Sequence, residues 1–147
     1  MKKYLSYKIL PEFKLILENF KGQVTVEDII NLKKIESMDN SYNPKFNIIA
    51  DIRDSEYISY DSAIESTISL YFNFRSTFFT NSKVAILTAT PHQVVISTIL
   101  KKLCTNLESL LIEIFSTMEA AIRFINIPIE NFNHIKDIIS DLNDNTL

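Results

Sequence analysis

Residues 83–93 read Lys-Val-Ala-Ile-Leu-Thr-Ala-Thr-Pro-His-Gln, a short strand that leads directly into a helix. The apolar run from Val84 to Leu87 is typical of a strand covered on both faces. Thr90 suits the N-cap of the helix, Pro91 its first position and Gln93 the reciprocal capping position. A buried strand followed by a helix predicts a sheet with parallel strands and helical crossovers.

The same alternation continues on both sides of this stretch. Upstream, the apolar run over residues 46–52 predicts another buried strand, and helical spacing predicts a helix over residues 59–75. Downstream, residues 110–115 predict a strand, and the capping box Ser116-Thr117-Met118-Glu119 predicts that a helix begins there. The buried face of that helix is expected to carry Met118, Ala121, Ile122 and Ile125.

The N-terminal part predicts an antiparallel strand pair. Residues 4–10 and 13–20 are β-prone, Pro11-Glu12 forms a plausible turn, and Lys21-Gly22 is expected to end the second strand. In that strand Phe13, Leu15 and Leu17 alternate with Lys14, Ile16 and Glu18. A helix then begins at the N-cap Thr25, with Val26, Ile29, Ile30 and Ile35 at helical spacing.

We therefore predict one domain over residues 1–147, of the α/β (α+β) class, with a mixed sheet of about five strands. The predicted order is β-β-α-β-α-β-α-β-α over a core of residues 4–127. Ile127-Pro128 ends the last of these helices, and an amphipathic C-terminal helix over residues 129–142 follows, with Ile129, Phe132, Ile135, Ile139 and Leu142 at helical spacing.

Composition points away from several classes of function. The formal net charge is −3, and residues 1–128 balance to zero, so no broad basic field is available for nucleic acid. A single glycine leaves no glycine-rich phosphate loop, and the two histidines with Cys104 fit no familiar metal spacing. We expect no cofactor and no metal. Cys104 is expected to be a small core residue.

The location of the protein is predicted from its cysteine and its apolar runs. No apolar run approaches the roughly 18 residues that span a bilayer. Ser6 and Lys8 interrupt the apolar segment that a signal peptide would need near the N-terminus. One cysteine cannot form an internal disulfide, which favours a reducing compartment. These features predict a cytoplasmic protein.

Polar side chains follow three of the predicted parallel strands, whose carboxyl ends are where ligands bind in open α/β sheets. The first end carries Asp51, Arg53 and Asp54. The second carries Thr88, Thr90, His92 and Gln93, and the third carries Ser116, Thr117 and Glu119. They are interpreted either as a small anion- or partner-binding rim, or as helix caps together with an Arg53–aspartate pair.

Aromatic residues are concentrated between residues 57 and 79, which hold Tyr57, Tyr60, Tyr71, Phe72, Phe74, Phe78 and Phe79. Tyr71, Phe72 and Phe74 point in different directions on a helix that turns 100° per residue. Three hypotheses account for this excess: a pocket for an apolar ligand, a protein interface, or a bulky core on a helix buried on two sides.

Four segments resemble the STAS domain of anti-sigma-factor antagonists, and more closely the bacterial SpoIIAA-like group: residues 22–28, 46–54, 83–87 with Thr90-Pro91, and 114–121. The resemblance implies a mixed sheet with helices and a module that binds proteins. STAS antagonists carry a phosphorylatable Ser or Thr after the third strand. Ser55 is the nearest positional match, in a segment without glycine and between Asp54 and Glu56, where phosphate would meet like charge.

Taken together, the sequence predicts a non-enzymatic regulatory module that binds a protein partner or a second copy of itself as a homodimer. The alternative hypothesis is a carrier of a small apolar or amphipathic ligand held beside the aromatic residues. An enzyme is the third hypothesis, and it would depend on His92 or Asp54.

Overall fold

The computed structural model describes residues 2–58, 66, 82–104 and 110–144. The described strands form one sheet and four α-helices accompany it. The strands are β1 (Tyr4–Leu10), β2 (Leu15–Val24), β3 (Asn47–Ile58), β4 (Ser82–Leu87) and β5 (Leu110–Phe115). The helices are α1 (Val26–Ser37), α2 (Pro91–Leu103), α3 (Met118–Phe124) and α4 (Phe132–Asp144). Apart from residue 66, which is helical, the predicted helix over residues 59–75 lies outside the described residues.

The strands lie in the sheet in the order in which they occur in the chain, β1-β2-β3-β4-β5. β1 is antiparallel to β2, and the pairs β2–β3, β3–β4 and β4–β5 are all parallel. This confirms the predicted mixed sheet with an antiparallel first pair. Since each parallel step moves in the same direction, crossovers of the usual right hand place their helices on one face.

Each face of the sheet therefore has its own set of helices. α1 and α2 pack on one face, where Leu32 and Cys104 join side chains of the strands. After β5 the chain reaches the opposite face, which α3 and α4 cover with Ala121, Ile135 and others. The sheet is buried on both sides, which explains the continuous apolar runs of its inner strands.

Burial on both faces corrects the alternation expected in β2. Leu15 and Leu17 face one helical layer, whereas Ile16 and Phe20 face the other, and all four are buried. Glu18 is buried as well, because Lys33 of α1 reaches over the strand and forms an ion pair with it. A strand expected to be half-exposed is thus central to the fold.

Two strand ends differ from the sequence prediction. β2 continues through Lys21 and Gly22 to Val24 instead of ending there, and Phe13 belongs to a 3-10 turn that Lys14 closes at φ 51°. β3 continues to Ile58 instead of ending at residue 52. The extension carries two bulges, because β3 places one additional residue opposite β2 at each of two points between Asp51 and Tyr57.

The helix caps follow the sequence prediction closely. Thr25 and Thr90 each form a complete capping box, with Asp28 and Gln93 as the reciprocal residues. The third cap is one residue later than predicted, since Thr117 rather than Ser116 accepts the bond from the backbone N–H of Ala120.

Two apolar residues expected to be buried are largely exposed instead. Ile35 lies on the outer side of α1, and Leu32 is the residue of this helix that is buried in its place. Ile129 is 57% exposed, because it belongs to the 3-10 turn before α4 rather than to the buried stripe of the helix. The rest of that stripe follows the prediction, with Ile135 and Ile139 buried.

The single glycine is required by its backbone and by its surroundings. Gly22 has φ +79°, and a Cβ atom there would lie 2.7 Å from the carbonyl oxygen of Lys2. We predict that Gly22→Ala destabilises the protein by about 1–3 kcal/mol, since a left-handed conformation is strained for alanine and the clash is with backbone. Urea denaturation of both proteins measures the difference. A Gly22→Ala variant as stable as the wild type would contradict the close approach of the N-terminal segment.

Candidate functional site

The carboxyl ends of β3, β4 and β5 meet at one edge of the sheet. The register pairs Asp51 with Leu87 and Leu87 with Phe115, so the three strands reach this edge side by side. The sequence-predicted groups that follow each strand are thereby brought together. Tyr71, Phe72 and Phe74 lie outside the described residues, so the apolar-ligand hypothesis that depends on them stays a prediction.

Asp51 and Arg53 form a bidentate pair at the end of β3. Asp51 Oδ1 accepts from Arg53 Nε at 2.9 Å and Oδ2 accepts from the terminal nitrogen Nη2 at 2.8 Å. Asp51 is 2% exposed, and it also accepts from the backbone N–H of Arg53. The hydrogen bonds that the guanidinium donates to Asp51 raise the pKa of Arg53. The pair is thus the internal arrangement that the structural interpretation of these residues predicted, and one edge of the guanidinium remains open to solvent.

Ser55 is buried inside β3 rather than placed at the start of a helix. Its Oγ donates to the carbonyl oxygen of Ile52 at 2.6 Å. A kinase would reach this hydroxyl only if the bulged end of β3 opened. Asp54, the preceding residue, is exposed. Ser55, the nearest positional match to the phosphorylated residue of STAS antagonists, is thus a buried strand residue in this chain.

Gln93 is the central polar residue of this edge. Its Oε1 accepts from the backbone N–H groups of Ala89 (2.7 Å) and Thr90 (3.2 Å). Its Nε2 donates to the carbonyl oxygens of Arg53 (3.2 Å) and Ser55 (3.0 Å). One buried side chain therefore closes the start of α2 and satisfies two carbonyls of β3 that lie beyond Asp51, the last residue paired with β4.

The hydroxyl groups at the helix starts act as caps. Thr90 Oγ1 accepts from the backbone N–H of Gln93, and Thr117 Oγ1 accepts from that of Ala120. Thr88 is buried, and its backbone N–H donates to the carbonyl oxygen of Phe115. The hydroxyl groups of Thr90 and Thr117 are thus engaged as helix caps, as the structural interpretation predicted, and the anion-binding interpretation stays a prediction. His92, in the first turn of α2, is exposed.

Exposed apolar side chains lie beside these caps. The buried stripe of α2 begins with Gln93 and Ser97, so the valines between them are turned outwards. Val94 is 42% exposed and Val95 is 55% exposed. We call the exposed residues Asp54, Thr90, His92, Val94 and Val95 the α2 surface. The two valines were missed because helical spacing gives α2 apolar residues on more than one side, and only the tertiary contacts decide which side is buried.

Asn19 was also missed by sequence reasoning. It lies in the middle of β2, in register with Asp51 on one side and Ser6 on the other. It is almost fully buried, and both atoms of its side-chain amide, together with Ser6 Oγ, have no hydrogen-bond partner among the described residues. The only signal in the sequence is that Glu18 and Asn19 interrupt an otherwise apolar run. A buried polar group of this kind lowers stability by an amount of about 1–3 kcal/mol.

Two further properties concern metals and membranes. No group of three or more His, Cys, Asp or Glu side chains is arranged to hold a metal ion in the described part of the chain. The helices in the same residues include none with the length and apolar character that crossing a bilayer requires.

Comparison with known proteins identifies the fold. No protein-family model matches the sequence, and no curated protein shows significant similarity to it. Among solved structures, the chain is similar to an uncharacterized protein of the DUF3478 family with a SpoIIAA-like fold from Shewanella loihica PV-4. The TM-score is 0.55 at 14% identity, and the match covers 85% of this chain and 96% of the other. The chain therefore has a SpoIIAA-like fold, as the four resembling segments implied.

Replacement of Gln93 tests its role in the fold. We predict that Gln93→Ala destabilises the protein by about 2–4 kcal/mol, because it removes a helix cap and leaves two buried carbonyls unpaired.

Gln93→Glu keeps the shape of the side chain, but its carboxyl group can donate a hydrogen bond to a carbonyl only when it is protonated. The Gln93→Glu variant should therefore lose further stability as the pH rises through and above the ordinary pKa of glutamate. Urea denaturation at pH 5 and pH 8 measures both effects, and a pH-independent difference from wild type would contradict this role.

Cys104 is expected to be chemically inert in the folded protein. Burial raises the pKa of its thiol to about 12, so very little thiolate exists at neutral pH. An aromatic disulfide reagent should label it only at the rate of unfolding. Val95→Cys in a Cys104→Ala background provides an exposed thiol on the same helix and should react at once. Equal rates for the two positions would contradict the burial of Cys104.

Proposed function

We propose that this chain is a non-enzymatic, cytoplasmic module that binds a protein partner through the α2 surface. The observation that carries the proposal is the exposure of Val94 and Val95 beside polar groups that the fold already uses. Burying a valine side chain contributes about 1.5–3 kcal/mol, so two adjacent valines can form the centre of an interface. Asp54, Thr90 and His92 supply a polar rim of the kind that surrounds such centres.

The hydrogen bonds of the sheet edge support binding over catalysis. The side-chain amide of Gln93 forms hydrogen bonds with four backbone groups, and the carboxylate of Asp51 accepts hydrogen bonds from Arg53. These groups hold the α2 surface in one geometry before a partner arrives. Binding to a preorganised surface costs less conformational entropy than binding to one that must first become ordered.

A second copy of the chain is the simplest partner. Two copies related by a two-fold axis would place the valines of one against those of the other, because an isologous interface uses the same patch twice. A neutral, apolar centre suits such self-complementary contact. A different protein with an apolar patch would use the same residues, and the experiment below separates the two.

A photoreactive amino acid at position 95 tests the proposal in the cells that naturally contain the protein. We expect a cross-linked product whose mass identifies either a second copy or another protein. The matched control carries the same group at Ile129, which is equally exposed but lies on the opposite face of the sheet. Cross-linking that is absent at both positions, or equal at both, would contradict binding at the α2 surface.

The energetic contribution of the valines is measured on the purified complex. We predict that Val95→Glu weakens association by at least about tenfold, since a charge would be buried in an apolar centre. Ile129→Glu should leave association unchanged. Sedimentation velocity measures a homodimer directly, and calorimetry measures a complex with another protein. If both variants associate as the wild type does, the valines are not part of the interface.

A further inference from the structure

The outer edge of β5 has no strand paired with it among the described residues. β5 is the last strand of the sheet and pairs in parallel with β4. An edge strand presents backbone N–H and C=O groups that another extended chain can pair with. Binding there would involve a surface different from the α2 surface.

The direction of the backbone groups along β5 follows from one hydrogen bond. The carbonyl oxygen of Phe115 accepts from the N–H of Thr88 at 2.9 Å, so it points towards β4. Backbone groups of a strand alternate between its two sides, so Glu113 and Leu111 also pair inwards. Ile112 and Ile114 therefore direct their N–H and C=O groups to the free edge.

A groove runs beside this edge on the face that α3 covers. It has a volume of about 640 Å³ and is lined by Phe115, Thr117, Glu119, Ala120, Arg123 and Phe124. The rings of Phe115 and Phe124 pack with their centroids 5.2 Å apart. Leu111, which is 49% exposed, lies on the same side of β5 because it is four residues before Phe115. The groove therefore meets β5 at Phe115, and its two phenyl rings lie beside the polar side chains of Thr117, Glu119 and Arg123.

Charge at the centre of β5 disfavours a second copy as the occupant. Suppose that β5 of one copy pairs antiparallel with β5 of a second copy. Only two registers then join the outward backbone groups of Ile112 and Ile114 over most of the strand. In one register Glu113 lies opposite Glu113 of the other copy, and in the other it lies opposite Leu111. Like charges opposite each other destabilise the first register. The second register places the carboxylate of Glu113 opposite an apolar side chain, so neither register offers it a basic partner, and a charged residue on an edge strand discourages such pairing.

The ion pair of Glu113 with Lys101 of α2 can be displaced at little cost. The two side chains meet at 2.9 Å, and both are about 40% exposed. Because α2 packs on the opposite face of the sheet, the side chain of Lys101 passes the outer edge of β5 to reach Glu113, and a pairing strand would displace it. Exposed ion pairs contribute little to stability, so a basic residue of the partner could take the place of Lys101. The edge therefore combines outward backbone groups that no described strand pairs with, a groove beside Phe115, and one negative charge between two apolar positions.

We propose that β5 binds an extended segment of another protein as a sixth strand of the sheet. The segment would pair with the backbone of Ile112 and Ile114. Its groove-facing residues would alternate as apolar, basic and apolar, opposite Leu111, Glu113 and Phe115. One apolar side chain would enter the groove beside the packed rings of Phe115 and Phe124.

The experiment uses a library of random ten-residue peptides displayed on phage and selected on the full chain. We expect selection of the pattern apolar-x-basic-x-apolar, and the synthetic form of a selected peptide should bind the protein. Ile114→Pro removes an outward N–H without removing a bond to β4, so the protein should fold and bind the peptide at least about tenfold more weakly. Ile114→Val keeps the N–H and should bind as the wild type does.

Amide hydrogen exchange on the unaltered protein gives a second readout that does not depend on a variant. The peptide should slow exchange at Ile112 and Ile114 and leave Glu113 unchanged. Val95→Glu should bind the peptide normally, which separates this proposal from the α2 surface. A library without the pattern, equal binding by Ile114→Pro and wild type, or no added protection at Ile112 and Ile114 would overturn the proposal. Dimerisation abolished by Ile114→Pro would also overturn it, because the occupant would then be a second copy.

Discussion

The amide of Gln93 is the interaction on which the carboxyl edge of the sheet depends. It bonds to the backbone of the turn between β4 and α2 and to two carbonyls of β3. Without such a partner, the bulged end of β3 would leave buried carbonyls unpaired, which is unfavourable. The bulges in turn decide where Arg53, Asp54 and Ser55 lie. The geometry of the whole edge therefore follows from one side chain that satisfies four backbone groups.

Burial of the sheet on both faces is the second constraint. It places Glu18 and Asn19 of β2 in the interior with different outcomes. Glu18 is neutralised by Lys33, and this ion pair ties α1 to the sheet. The amide of Asn19 has no such partner among the described residues. The two neighbours show that a polar residue in a central strand either fixes the position of a helix or lowers stability.

The two proposed surfaces differ in the physics that would drive association. The α2 surface depends on side chains, since its exposed valines gain by leaving water and its backbone is already satisfied within the helix. The β5 edge depends on backbone groups, and its side chains select among the strands that could pair there. One sheet can thus present both surfaces at different places, because the first lies over a helix and the second lies at the last strand.

The sequence by itself determined the order of the described elements, the antiparallel first pair and the starts of α1 and α2. Capping residues and apolar runs act within a few neighbouring positions, so Thr25, Thr90 and the strand over residues 110–115 could be predicted locally. Tertiary structure decided the length of β3, the exposure of Val95 and Ile35, and the burial of Asn19. These depend on what lies against each residue across the sheet, and contacts between distant parts of the chain leave no periodic signal in the sequence.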